Sequence, residues 1–353
     1  MLNLDDPATP GVDKQTLNTV VAADQFTAAN GYAVATSGTI GRNQTTSHFF
    51  AVPAGTPAFK VDMAAGGTEA GQVRFLRFHP YGVGIESNST INCYNPPVSG
   101  TCNPTSRTVA NPQAGVWEVT VEARRTSDTV TAPYSITASV LGASVTPNPL
   151  TVETATAGTP VTKDVALENL FGAFTGSAVG TTLGSAKRGT PTIANAAVQT
   201  YDVDVTAGST SLRATIGGTS DPAADLDLYV YRCASPSVCE TLVGQAADGD
   251  SEESVTVANP AAGTYRVVVD GYAVPAGTTT YQYVDVFTNP AFGAVTTTDT
   301  NEVRPAGLSW TTPATVTAKL APADGRVLLG NVHVRTDAKV LVGSGDVVVE
   351  QVG

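Results

Sequence analysis

The stretch Val109-Ala110-Asn111-Pro112-Gln113-Ala114-Gly115-Val116-Trp117-Glu118-Val119-Thr120-Val121 returns 148 residues later as Val257-Ala258-Asn259-Pro260-Ala261-Ala262-Gly263-Thr264-Tyr265-Arg266-Val267-Val268-Val269. A turn of Asn, Pro and Gly followed by an alternating strand is therefore used twice. Trp117, Val119 and Val121 share one face while Glu118, Thr120 and Glu122 share the other, the period of a half-buried strand. Upstream, Pro53-Ala54-Gly55 pairs with Thr206-Ala207-Gly208, and seventeen residues beyond each glycine lie Gln72-Val73-Arg74-Phe75 and Asp225-Leu226-Asp227-Leu228. Downstream, Tyr134-Ser135-Ile136 matches Tyr281-Gln282-Tyr283. The economical reading is an all-β chain with tandem antiparallel β-sandwiches of jelly-roll or immunoglobulin-like type, one over 25–143 and one over 190–289.

The remaining segments, 144–189 and 290–353, are each too poor in strands for a core of their own. They are expected to pair into a third, discontinuous β domain with the second repeat inserted between its halves, since surface loops tolerate inserted domains. Residues 1–24 read as a linker or the remnant of an upstream domain, with a short helical stretch around Lys14 to Ala23. Only 14% of residues are charged and long helical runs are missing, which fits several small sandwiches better than one helical core.

The net charge of −12 would repel a phosphate backbone, so nucleic acid is excluded as a partner. No apolar run is long enough for a membrane span. The opening Met1-Leu2-Asn3-Leu4-Asp5-Asp6 lacks the basic start and apolar core of a signal peptide. Cysteine usage nevertheless points to an oxidising compartment: Cys93 with Cys102, and Cys233 with Cys239, form two local pairs that read as disulfides. A metal reading of these cysteines is disfavoured, because no C-x-x-C occurs and His48, His79 and His333 are not grouped with them. A secreted chain without a signal is expected to be a piece of a longer precursor.

Two constellations carry candidate chemistry. In Asp225-Leu226-Asp227-Leu228 the leucines face inward, leaving two carboxylates on the outer face roughly 7 Å apart by strand geometry. With Asp221 before the strand and Asp248, Asp250 and Glu252 in the acidic loop 248–253, they form a hard-oxygen set suited to Ca2+. The competing reading is a solvated acidic surface that blocks edge pairing. Tyr229, Tyr231, Tyr272 and Tyr283, on neighbouring strands, are a candidate platform for a sugar or a peptide. Gly218-Thr219-Ser220 invites comparison with a serine nucleophile, but Asp221-Pro222 follows and the motif reads as a turn. No G-x-S-x-G elbow occurs, so the chain is not expected to be an enzyme.

Asp225-Leu226-Asp227-Leu228-Tyr229, then Asn259-Pro260-Ala261-Ala262-Gly263-Thr264-Tyr265-Arg266-Val267-Val268-Val269 and Gly271-Tyr272, resembles the bacterial pre-peptidase C-terminal domain, a β-sandwich that follows the catalytic domains of secreted peptidases. The likeness is weaker in the first repeat, where Gln72 and Arg74 replace the acidic pair. Leu2-Asn3-Leu4-Asp5 is similar to the segment that closes a subtilisin-type catalytic domain. Thr146-Pro147-Asn148-Pro149 and the 290–353 tail resemble fibronectin-III-like domains found after such catalytic domains. The resemblance implies a non-catalytic C-terminal accessory region of a secreted subtilisin-family (S8) serine peptidase. Its partners would be the upstream catalytic domain of the same precursor and a protein or polysaccharide substrate. The alternative is a free-standing extracellular adhesion or carbohydrate- or protein-binding sandwich.

Overall fold

The computed structural model describes residues 2–16, 20–66, 70–87, 90–96, 102–235 and 237–353. The expected all-β class is borne out, with sheets that are antiparallel except at two strand pairs and two single-turn 3-10 helices among the described residues. The chain divides into two compact units, one built mainly from 1–142 and the other mainly from 143–353.

The first unit contains β1 (Ala33–Gly41), β2 (Thr45–Val52), β3 (Ala58–Ala65), β4 (Val73–Phe78), β5 (Ser106–Ala110), β6 (Gly115–Ala123) and β7 (Thr131–Leu141). They form two four-stranded sheets, β1-β7-β3-β5 and a second in which the short strand Asp24–Gln25 precedes β2-β6-β4. Phe50, Phe59, Phe75 and Trp117 are fully buried in its core. The helical stretch expected from Lys14 does not form in the described part: Lys14–Thr16 pairs antiparallel with Leu2–Leu4, and 17–19 lie outside the described residues. That pairing satisfies the backbone groups a helix would have satisfied locally.

The second unit contains β8 (Ala143–Thr146), β9 (Leu150–Ala155), β10 (Val161–Asn169), β11 (Phe174–Gly180), β12 (Gly184–Gly189), β13 (Val198–Val205), β14 (Ser211–Gly217) and β15 (Asp225–Arg232). It continues through β16 (Thr241–Ala246), β17 (Ser254–Ala258), β18 (Gly263–Ala273), β19 (Gln282–Thr288), β20 (Gly293–Thr297), β21 (Ser309–Ala318), β22 (Val327–Thr336) and β23 (Leu341–Val352). One sheet runs β13-β18-β15-β16 and a nine-stranded sheet includes the run β12-β19-β14-β17. Matching β2-β6-β4 to β13-β18-β15, and β1-β7-β3-β5 to β12-β19-β14-β17, the two repeats carry the same strand order.

The local structure of the repeated motif agrees to the level of single bonds. Asn111 and Asn259 both take φ 47°, and Gly115 and Gly263 take φ 130° and 134°. Asparagine tolerates the left-handed region because its short polar side chain bonds locally, and glycine has no Cβ to clash there. The amide N–H of Asn111 donates to Pro57 O and that of Asn259 to Thr210 O, each at 2.9 Å. Trp117 Nε1 donates to Gln113 O at 2.8 Å, and Tyr265 Oη donates to Ala261 O at 3.1 Å. Each aromatic thus buries its ring while its polar tip reaches a carbonyl four residues back. Asn259→Ala is expected to destabilise the second unit by about 1 kcal/mol, the cost of a left-handed alanine, read as a lower urea midpoint with unchanged slope.

Segments on either side of the second repeat pair with each other. β9 lies parallel to β23 and β10 antiparallel to β21. β8-β10-β21-β20 make a four-stranded sheet, while β9, β23 and β22 extend the nine-stranded one. The junction is β12, which pairs with β19 along its whole length and with β22 through Gly184–Ala186. Gly184 is required there: an added Cβ would lie 2.6 Å from Val286 Cγ2 and 2.7 Å from Phe287 O.

Candidate functional site

β15 presents two faces to different surroundings. Leu226, Leu228 and Val230 are fully buried, whereas Asp225, Tyr229 and Tyr231 are half-buried on the alternate face and Asp227 keeps only 8% exposure there. Across the sheet Asp227 is the partner of Asp270 on β18. The loop before β17 folds onto the start of β15, with Leu226 N–H donating to Asp250 O at 3.3 Å and Ser251 Oγ to Ala224 O at 2.6 Å. Within it the Asp248 carboxylate accepts from Asp250 N–H, and that of Asp250 from Glu252 N–H. Glu253, only 4% exposed, accepts from Asp248 N–H at 3.0 Å.

Carboxylate oxygens of Asp248, Asp250 and Glu253 lie within 4.8 Å of one another. Burial pushes the Glu253 carboxyl above its usual range, reinforced by the charges of Asp248, Asp250 and Asp227 against one backbone hydrogen bond that favours ionisation. Burial likewise raises Asp225, with Asp227, Asp248 and Asp250 adding to it. Asp225 Oδ1 is buried with no hydrogen-bond partner among the described residues. Asp227 instead accepts from the Tyr229 hydroxyl at 2.9 Å, a bond that, with some burial, pushes the tyrosine up to about 12. The oxygens suit a hard divalent cation, which would replace mutual repulsion with shared coordination.

The first repeat solves the same problem with a side chain. Arg74 and Glu122 stand where Asp227 and Asp270 stand in the second, as Cα partners across the sheet. Arg74 donates to Glu122 Oε2 at 2.6 and 3.1 Å, and the Tyr94 hydroxyl donates to Glu122 Oε1 at 3.0 Å. A guanidinium is thus built in at one copy, where the other sets carboxylate against carboxylate.

Raised carboxyls have a definite consequence for pH. Because Glu253 and Asp225 hold protons more tightly folded than unfolded, their contribution to stability is fully present below the unfolded carboxylate range and is lost as pH rises through their folded pKa values. In chelator, the wild-type melting midpoint is therefore expected to fall relative to that of Glu253→Gln as pH is raised from about 4 to about 7. A pH-independent difference between the two would count against a repulsive cluster.

Two other expected ligands make bonds of their own. The Asp221 carboxylate accepts from Ala223 N–H at 3.1 Å and Ala276 N–H at 3.0 Å, so it organises a loop. Glu252 is exposed and accepts from Gly218 N–H at 3.2 Å, turned away because it has opposite strand parity to Glu253. Glu253 was legible by that criterion, since it shares the parity of inward Val255; Asp270 carried no comparable signal. Of the tyrosines, Tyr229 and Tyr231 lie on one outward face of β15 and Tyr272 is 67% exposed on β18. Tyr283 is a correction: it is 1% exposed, stacks on Tyr201 at 3.9 Å between centroids and donates to Asp285 at 2.9 Å, and so belongs to the core.

Cys93 is bonded to Cys102 and Cys233 to Cys239. Ser220 Oγ accepts from Thr280 N–H at 3.0 Å and pairs with Thr279 Oγ1 at 3.2 Å, bonds that hold a turn. His48 is bonded to the Tyr134 hydroxyl, His79 stacks on Tyr81, and His333 contacts Arg335. No helix among the described residues is long and apolar enough to cross a membrane.

Residues 197–271 match the bacterial pre-peptidase C-terminal domain, which bears out the resemblance read from Asp225 to Tyr272. Over 273 residues, 77% of this chain, the sequence is 24% identical to pyrolysin of Pyrococcus furiosus, and it spans 18% of that protein's length. Tripeptidyl peptidase 2 is similar at a TM-score of 0.41 and 9% identity, over 89% of this chain and 29% of that one. The periplasmic lysozyme inhibitor PliG of Aeromonas hydrophila is similar at 0.23 and 17% identity, over 30% of this chain and 88% of that one.

Proposed function

We propose that this chain is a non-catalytic accessory region of a secreted subtilisin-like serine peptidase, which stabilises the catalytic domain or holds substrate beside it. The carrying observation is that the similarity to pyrolysin, a subtilisin-like peptidase, runs over 273 residues and so extends well past the matched 197–271 domain. Two disulfides support an extracellular compartment. Extending the reading frame upstream is expected to reveal the Asp, His and Ser blocks of a catalytic domain. A signal peptide directly before residue 1 would instead favour a free-standing adhesion protein. In the full peptidase, deleting this region is expected to shorten the thermal inactivation half-life or raise KM for protein substrates; loss of neither would sink the reading.

We further propose Ca2+ as the cofactor of the second repeat, held by Asp225, Asp227, Asp248, Asp250 and Glu253. Supporting this is the buried Oδ1 of Asp225, unpartnered among the described residues, within a set of carboxylates that no guanidinium among those residues pairs with, in contrast to Arg74 in the first repeat.

A further inference from the structure

A second polar site lies where β22 stops pairing with β12 at Leu329 and takes up β11 from Val332. Thr181 fills the gap between the two partners: its N–H donates to Asn331 O at 3.1 Å, and its Oγ1 accepts from Asn331 N–H at 2.8 Å. Two cavities of about 420 Å3 each adjoin here and share Thr181 and His333. Arg335 and Lys339 line one and Arg213 the other. Among the described residues no carboxylate lies within ion-pairing distance of these three cations. Two acids stand beside these cations without pairing with them: Asp337, on the rim, accepts from Ala338 N–H, and Asp346 accepts from Asn331 Nδ2 and acts on His333 by its charge.

His333 adds a neutral donor. Arg335 Nη2 lies 3.2 Å from His333 Nδ1 and can only donate, so Nδ1 accepts and the ring proton sits on Nε2. Burial, with Arg335 and Arg213 beside it, holds His333 down to about 4, so the ring stays uncharged at neutral pH. His333 and Arg335 therefore stand on one face of β22 about 6.7 Å apart, two residues of extended chain, with Asn331 on the same face already donating to Asp346.

We propose that this face binds an extended acidic peptide segment, whose alternate carboxylates meet Arg213, His333, Arg335 and Lys339. A carboxylate accepts from guanidinium and imidazole donors in charge-assisted bonds. No Phe, Tyr or Trp among the described residues lines either cavity, which leaves a sugar ring without a stacking surface. The net charge of −12 opposes any acidic ligand at long range, so binding requires this local concentration of donors.

The test uses the full chain in chelator, so that no metal bridges carboxylates, with fluorescein-labelled hexaglutamate as the probe and hexaglutamine as its control. Fluorescence anisotropy is expected to detect hexaglutamate and not hexaglutamine, with affinity falling as salt rises from about 0.05 to about 0.5 M. The Arg213→Gln/Arg335→Gln variant is expected to weaken binding at least about tenfold at an unchanged melting midpoint, and Lys339→Glu, at an exposed position, to do likewise. No binding of hexaglutamate, binding unaltered in both variants, or tighter binding of oligogalacturonate would each overturn the proposal.

Discussion

Asp285→Ala is expected to destabilise the second unit by about 3–5 kcal/mol, the usual cost of breaking a buried ion pair by removing one partner. Asp285 is fully buried, paired with Arg326 and hydrogen-bonded by the Tyr283 hydroxyl at 2.9 Å. Arg326 also donates through Nε to Ser185 Oγ at 2.8 Å and through Nη2 to Ser185 O at 3.0 Å. The cluster thus fastens β19 of the second repeat to β12 and to the chain entering β22. Alanine would leave a guanidinium, with 11% of its side chain exposed, facing a phenol and no counter-charge. Replacing both partners, as Asp285→Leu/Arg326→Met, is expected to recover part of the loss, because it removes the lone buried charge but still leaves the Tyr283 hydroxyl without its acceptor. Urea denaturation of the two variants reads both values. A loss below about 1 kcal/mol in the single variant would mean that water reaches the pair, as at exposed bridges.

The second large effect is on metal. Calcium at about one hundred times its Kd is expected to stabilise the second unit by about 2.7 kcal/mol if it binds only the folded chain. Thermal melts in calcium and in chelator measure this shift. Asp225→Asn/Glu253→Gln should abolish most of the calcium response while raising the midpoint in chelator, because it removes ligands and repulsion together. The first unit, with Arg74 already against Glu122, should not respond. Equal midpoints in calcium and chelator would remove the metal from the account.

Much of the fold could be read from the residues because its constraints are local. A left-handed asparagine, a glycine at φ near 130° and an aromatic two residues later define one turn, and the sequence spells it twice. β12 was harder: Gly184-Ser185-Ala186-Lys187-Arg188-Gly189 has no apolar alternation, and its place follows from partners more than ninety residues away. The acidic site was legible in part. Asp225, Asp227, Asp248 and Asp250 stood out as a charge pattern, but the same pattern includes Asp221, whose carboxylate ties Ala223 to Ala276, and Glu252, which turns to Gly218. Tyr283 was misjudged although Tyr281-Gln282-Tyr283 alternates like its counterpart Tyr134-Ser135-Ile136: both tyrosines fall on the buried face and Gln282 on the exposed one.

The parallel pairing of β9 with β23 sets an order on biosynthesis. The labelled strands of the first unit are all made by Leu141, so their two sheets can close while the ribosome is still translating. β9, only nine residues further on, must wait for Leu341–Val352 before its neighbour exists. Nearly two hundred residues therefore emerge with Leu150–Ala155 lacking its mate, and a nascent chain stalled before residue 341 would display an open sheet margin for chaperones or for another chain to seize.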